Sequence, residues 1–178
     1  VFSLFKEMRS GEFCNSEMEE TVGIIFPIVA YLSLLSITDI GLIGTLLSLG
    51  MMIFTLLIGR FADRYDKKKM LRLGAILLIA TWLVAFWTQS TIGFYAVSIL
   101  LGFFLRLFLI PYNALLYANA KTDDAQFLVL REFPVISARI FVFMLAIFLA
   151  SNLQLVFLVV ALTLFYFFFF NPRRNTYK

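Results

Sequence analysis

Apolar residues in this chain come in long unbroken runs, not at the alternate positions of a strand or the three-and-four spacing of a half-wet helix. Six such runs cover residues 21–38, 40–58, 73–88, 92–116, 133–149 and 153–170. Each approaches the ~20 residues that carry an α-helix across a ~30 Å hydrocarbon layer. A membrane β-barrel alternates apolar with polar positions, and these runs do not. The expected fold is therefore an all-α membrane protein with six transmembrane helices. Residues 1–20 are polar, with Lys6, Arg9 and five glutamates, and read as a lead-in outside the membrane, not as a signal peptide. Residues 171–178 read as a short basic tail.

The links between runs are of two kinds. Short polar links fall at 36–39, 88–91 and 150–152, and longer charged links at 59–72 and 117–132. If six helices alternate, the short links share one side and the long links share the other with both ends of the segment. Lys6, Arg9, Arg60, Arg64, Lys67, Lys68, Lys69, Arg72, Lys121, Arg131, Arg173, Arg174 and Lys178 then all fall on the long-link side. The short-link side has no lysine or arginine. Basic residues accumulate on the cytoplasmic face of membrane proteins, so the long links and both ends are expected there, in a plasma (inner) membrane.

Composition strengthens the membrane reading. Hydrophobic residues make up 62% of the chain and charged residues 15%, with a mean hydropathy of +0.94. A soluble domain averages nearer ~45–50% and ~25%. The lone cysteine, Cys14, excludes a disulfide within the chain, and there is no histidine. Without histidine, Ser-His and Cys-His nucleophilic pairs and His-ligated metals are ruled out. No catalytic cluster, metal site or cofactor is expected, and the partners are a lipid bilayer and a small molecule, not nucleic acid.

The link after the second run reads Gly59-Arg60-Phe61-Ala62-Asp63-Arg64-Tyr65-Asp66-Lys67-Lys68-Lys69-Met70-Leu71. Glycine lets the chain turn sharply without a Cβ penalty. A carboxylate such as Asp63 suits the positive end of a neighbouring helix or an arginine. On charge alone, the run from Lys67 to Arg72 is a cluster that only fixes topology.

The order of residues carries more. Gly-x-Phe-Ala-Asp-Arg-x-x-Lys-Lys-x-x-Leu between two helices resembles the signature loop of the major facilitator superfamily, Gly-x-Leu-Ala-Asp-Arg-x-Gly-Arg-Lys-x-x-Leu. Gly59, Ala62, Asp63, Arg64, Lys68 and Leu71 match in place, Phe61 and Lys67 are close replacements, and Asp66 stands where the family has a second glycine. The resemblance implies one six-helix half of a twelve-helix transporter, the C-terminal half, with an N-terminal six-helix half as its missing partner. It further implies that the loop, Gly59, Asp63, Arg64, Lys67 and Lys68, acts as a conformational latch, Asp63 holding a neighbouring helix end and Arg64 tuning the contact.

Ionisable residues inside the membrane cost at least ~2.5–3.5 kcal/mol at a helix centre, which makes them candidates for function. Arg106 lies ~21 Å inward from the start of the fourth run, either snorkelling to the interface or facing a central cavity where it attracts an anion. Arg131, Glu132 and Arg139 open the fifth run, in a pattern similar to several of the family's permeases. They are either a charge network fixing helix packing or a gate with a proton-coupled carboxylate at Glu132. Pro27 and Pro111 permit kinks in the first and fourth helices, and Tyr31 and Asn113 are candidate cavity residues. In the second helix, Gly41/Thr45 and Gly44/Ser48 form a small face that packs either within the bundle or against another half.

Three functional classes compete for a chain of this kind. A solute transporter working by alternating access fits best. A membrane-embedded enzyme lacks any cluster to do the chemistry. A non-transporting scaffold or degenerate half-transporter is the remaining alternative.

Overall fold

The computed structural model describes the backbone of residues 2–58, 66–119 and 124–165, and the side chains of 11–57, 66–116 and 131–165. Every described element is helical: α1 (Phe2–Glu20), a π-helical turn (Thr21–Ile25), α2 (Phe26–Leu34), α3 (Ile37–Ile58), α4 (Lys67–Trp87), α5 (Thr91–Asn119), α6 (Asp124–Phe148) and α7 (Leu155–Leu164).

The first departure from expectation is at the start. Residues 1–20 do not form a separate polar lead-in. From Phe2 on they form α1, which runs through the π-turn into α2. Glu12, Asn15, Ser16 and Glu17 are buried. Hydropathy hides this because Glu12 and Glu20 are paired with arginines far along the chain, and no local pattern reports such pairing.

The π-turn has a local cause. Pro27 has no N–H and its ring crowds the carbonyl four residues back, so the regular ladder cannot pass. The Phe26 N–H instead reaches the Thr21 carbonyl, five residues back, and Pro27 then sits in the first turn of α2. Leu35 ends α2 in a left-handed conformation, φ 52°, its N–H donating to the Tyr31 carbonyl at 2.7 Å.

Side-chain caps open the next helices. Ser36 Oγ accepts from the Asp39 N–H at 3.4 Å, Asp66 from the Lys68 N–H at 3.0 Å, and Ser90 Oγ from the Gly93 N–H at 3.2 Å. Asp66, the residue that departs from the loop pattern, is thus the N-cap of α4.

Contacts fix the helix directions. Glu12 meets Arg131 and Glu20 meets Arg139, so α1 and α6 run parallel. Asp39 meets Tyr95 and Phe54 meets Phe103, so α3 and α5 are also parallel. Two close approaches hold α5 to its neighbours. A Cβ on Gly102 would run into the Leu47 carbonyl, and one on Gly74 would lie 3.0 Å from the Phe108 backbone. The core is aromatic, with Phe26 against Trp82, Phe94 and Phe157 at ring separations of 6.4, 6.0 and 6.0 Å.

Among the described residues, three helices are long and apolar enough to cross a membrane, over Ile37–Leu57, Lys67–Trp87 and Thr91–Leu116. The first expected span falls short of that description because the π-turn divides it into elements of five and nine residues, the fifth because α6 carries charges, and α7 is described over only ten residues.

Candidate functional site

Two polar features stand out among the described residues. The first is the seam between α1 and α6. Arg131 Nε lies 3.1 Å from Glu12 Oε2, the glutamate side chain 3% exposed, and Arg139 Nε donates to Glu20 Oε1 at 2.6 Å. The two acids stand eight residues apart, as do the two arginines, so parallel helices bring both pairs together on adjoining faces. Counted from the end of α6 at 1.5 Å per residue, Arg139 lies ~14 Å along the helix, its side chain 54% exposed. Tyr112 of α5 is buried beside Glu12, and Asn15 Nδ2 donates to Glu19 at 3.3 Å.

Glu17 is the odd member of this helix. It is fully buried, yet it points away from both arginines, toward α7, where its polar neighbour is Thr163. Neither carboxyl oxygen meets the geometry of a hydrogen bond.

The second feature is a cleft of about 360 Å³ between α3 and α5, lined by Ser48, Met51, Met52, Thr55, Leu56 and Arg106. Arg106 is half-buried, and its Nε is buried without a hydrogen-bond partner. The hydroxyls of Ser48 and Thr55 donate to the Gly44 and Met51 carbonyls at 2.9 and 2.7 Å, which leaves their lone pairs toward the cleft. A guanidinium among sulfur, methyl and hydroxyl groups, with no acid in the lining, suits an anionic or strongly polarised group on an otherwise apolar molecule.

The small face of α3 continues from this cleft. A Cβ on Gly41 or Gly44 would meet nothing within 4 Å, whereas one on Gly50 would lie 2.6 Å from the Ile99 carbonyl. Contact within the bundle therefore uses Gly50 and Gly102, and the Gly41/Thr45 and Gly44/Ser48 strips are left uncovered.

The remaining expected residues scatter. Gly59, Asp63 and Arg64 lie outside the described residues; Lys67 and Lys68 form the first turn of α4, behind the Asp66 cap. Glu132 is exposed on α6, and Arg139 is paired with Glu20 across the seam, not with Glu132 seven residues before it. Asn113 is half-buried on α5, Tyr31 is 41% exposed on α2, and Pro27 shapes the π-turn. Sequence reasoning missed Glu12, Glu17 and Glu20, since it assigned residues 1–20 to solvent. The eight-residue repeat of glutamate and arginine was the one available signal. It also missed Asp39, which accepts from the Tyr95 hydroxyl at 2.6 Å at the starts of α3 and α5.

Comparison with known proteins gives one match. The profile of the Major Facilitator Superfamily matches residues 10–177. No curated protein and no solved structure matches the chain.

Proposed function

Because the chain belongs to the major facilitator superfamily, a family of transporters and not of enzymes, we propose that it moves a small solute across the membrane by alternating access, as one six-helix half of a permease. The observation that supports this best is the uncovered surface of α3 and α5. Glycine and hydroxyl strips with room above them adjoin a cleft holding a partly desolvated arginine. A bundle complete in itself would have no reason to keep an arginine there, given the cost of a charge at that depth.

On this reading the second half, N-terminal to this one, packs on the small-residue face, and the solute passes the Arg106 cleft. The parallel pairing of α1 with α6, outside the three long apolar helices, is what six alternating spans require and supports six. The long links and both ends of the segment lie in the cytoplasm, at the inner membrane. Asp63 and Arg64 serve as the latch between states, and Asp66 gives up the turn-forming role of glycine to cap α4.

Transport by the full-length protein, measured across a chemically broad panel with anionic and neutral members, tests the proposal. Asp63→Asn is expected to insert normally but to transport at a small fraction of the unmutated rate. Unimpaired transport by that variant would remove the latch, and binding without transport of any panel member would favour a scaffold.

A further inference from the structure

Arg106 is the only charged residue of α5, and Asp39 is the only one of α3. Asp39 stands in the first turn of α3, ~14 Å along the helix from Ser48, and the Tyr95 hydroxyl engages it at 2.6 Å. The two arginines of α6 have carboxylates at Glu12 and Glu20. Arg106 has no carboxylate among the described residues, and its Nε has left water without gaining an acceptor. A cation in that condition is ready for an anion from outside the bundle.

The rest of the lining decides what kind of anion fits. Ser48 and Thr55 donate to helix carbonyls, so each turns an acceptor oxygen to its surroundings. Met51 and Met52 add thioether sulfurs, which are weak acceptors on adaptable side chains, and Leu56 adds methyl groups. One guanidinium among acceptors matches one negative group. A second carboxylate, or a doubly charged phosphate, would meet lone pairs and no cation. The lining on α3 runs from Ser48 to Leu56, ~12 Å at 1.5 Å per residue. Met52 and Leu56 are 55% and 70% exposed along it, apolar surface that the body of a ligand would cover.

We propose that this cleft binds an amphipathic monoanion, a single carboxylate or sulfonate on an unbranched aliphatic body. The charged group lies on Arg106 and the body along Met51, Met52 and Leu56. A carboxylate accepts two hydrogen bonds from one guanidinium, which supplies the partner that Arg106 lacks. Apolar contact adds affinity with each methylene, and the acceptor lining sets the limit of one charge. As the class of solute moved, this rests on the transport reading above; as the class of ligand bound, it does not.

The test is calorimetric titration of the full-length protein, in nanodiscs of neutral lipid at neutral pH, with butanoate, hexanoate and octanoate. Affinity should rise ~4-fold with each added methylene. Octanol and octanedioate should bind at least ~10-fold more weakly than octanoate. In Arg106→Gln, octanoate should weaken ~10–100-fold and fall level with octanol, whereas a mere packing defect would keep the preference for the acid. If that variant does not fold, Met52→Ser gives the second reading, a shallower dependence on chain length with the preference for the acid retained. No binding of octanoate, equal binding of octanol or octanedioate, or a chain-length dependence unchanged in Met52→Ser would each overturn the proposal. So would binding lost when phosphatidylglycerol replaces the neutral lipid, which would assign the cleft to a bilayer lipid. Vesicle uptake of octanesulfonate, which stays ionised, separates the two readings. Binding in this pattern without uptake would overturn alternating access and leave the monoanion site standing. Transport of other solutes with no monoanion bound would overturn the monoanion site alone.

Discussion

Replacing Gly102 with alanine adds one methyl group where α5 presses on the backbone of α3. The new Cβ would run into the Leu47 carbonyl and lie 3.0 Å from the Met51 nitrogen. Both are backbone atoms inside a helix, so no rotamer change relieves the contact, and the helices must separate. A gap of 0.5–1 Å forfeits a quarter to a half of each dispersion contact along the interface, and overpacking of this kind costs ~1–3 kcal/mol. Rigid neighbours put Gly102→Ala at the upper end, ~3 kcal/mol. The better helix propensity of alanine returns up to ~1 kcal/mol, leaving a net loss of roughly 2 kcal/mol. Gly44→Ala is the matched control, because its Cβ would meet nothing within 4 Å, and only the propensity gain applies. Equilibrium unfolding of the two variants in one mixed-micelle system measures the difference directly. Equal stability of Gly102→Ala and the unmutated protein, with Gly44→Ala the weaker of the two, would refute the close approach of α3 to α5.

Two further outcomes follow from named contacts. Glu20→Gln removes the carboxylate that Arg139 pairs with, and because the arginine is 54% exposed the expected cost is ~1 kcal/mol. Adding Arg139→Gln should recover most of that, and a double-mutant cycle without coupling would show that the pair does not interact. Leu35→Gly relieves a left-handed leucine at the end of α2 and should raise stability by ~1–2 kcal/mol, as read by thermal unfolding; a loss would mean that the exposed leucine side chain outweighs the backbone strain.

The parts of the fold legible in the sequence are those that depend on local pattern. Unbroken apolar runs located α3, α4 and α5, though α4 begins six residues ahead of its run, at Lys67 behind the Asp66 cap. The start of the first helix was not legible, because Glu12 and Glu20 look like solvated acids until Arg131 and Arg139 are brought beside them across more than a hundred residues. The small face of α3 was half legible. Spacing placed Gly41, Gly44, Thr45 and Ser48 on adjoining strips, but only the packing shows that Gly50 and Gly102 take the contacts between α3 and α5 and leave those strips open. Arg106 stood out as a membrane charge, while the lone pairs of Ser48 and Thr55 beside it depend on hydrogen-bond directions that a sequence does not contain. Glu17 was invisible for the same reason, since its isolation is a property of what α7 presents to it.

The account as a whole depends on helices that alternate across a bilayer, with the 88–91 link outside and the start of α4 inside. Single cysteines placed by Gln89→Cys and Lys67→Cys in a Cys14→Ser background, exposed to an impermeant maleimide on intact cells, test this most directly. Gln89 is exposed between α4 and α5, and Lys67 is exposed at the other end of α4. Residue 89 should label on intact cells, and residue 67 only after permeabilisation. The reverse pattern would contradict the sidedness, and labelling of both from outside would contradict the span between them.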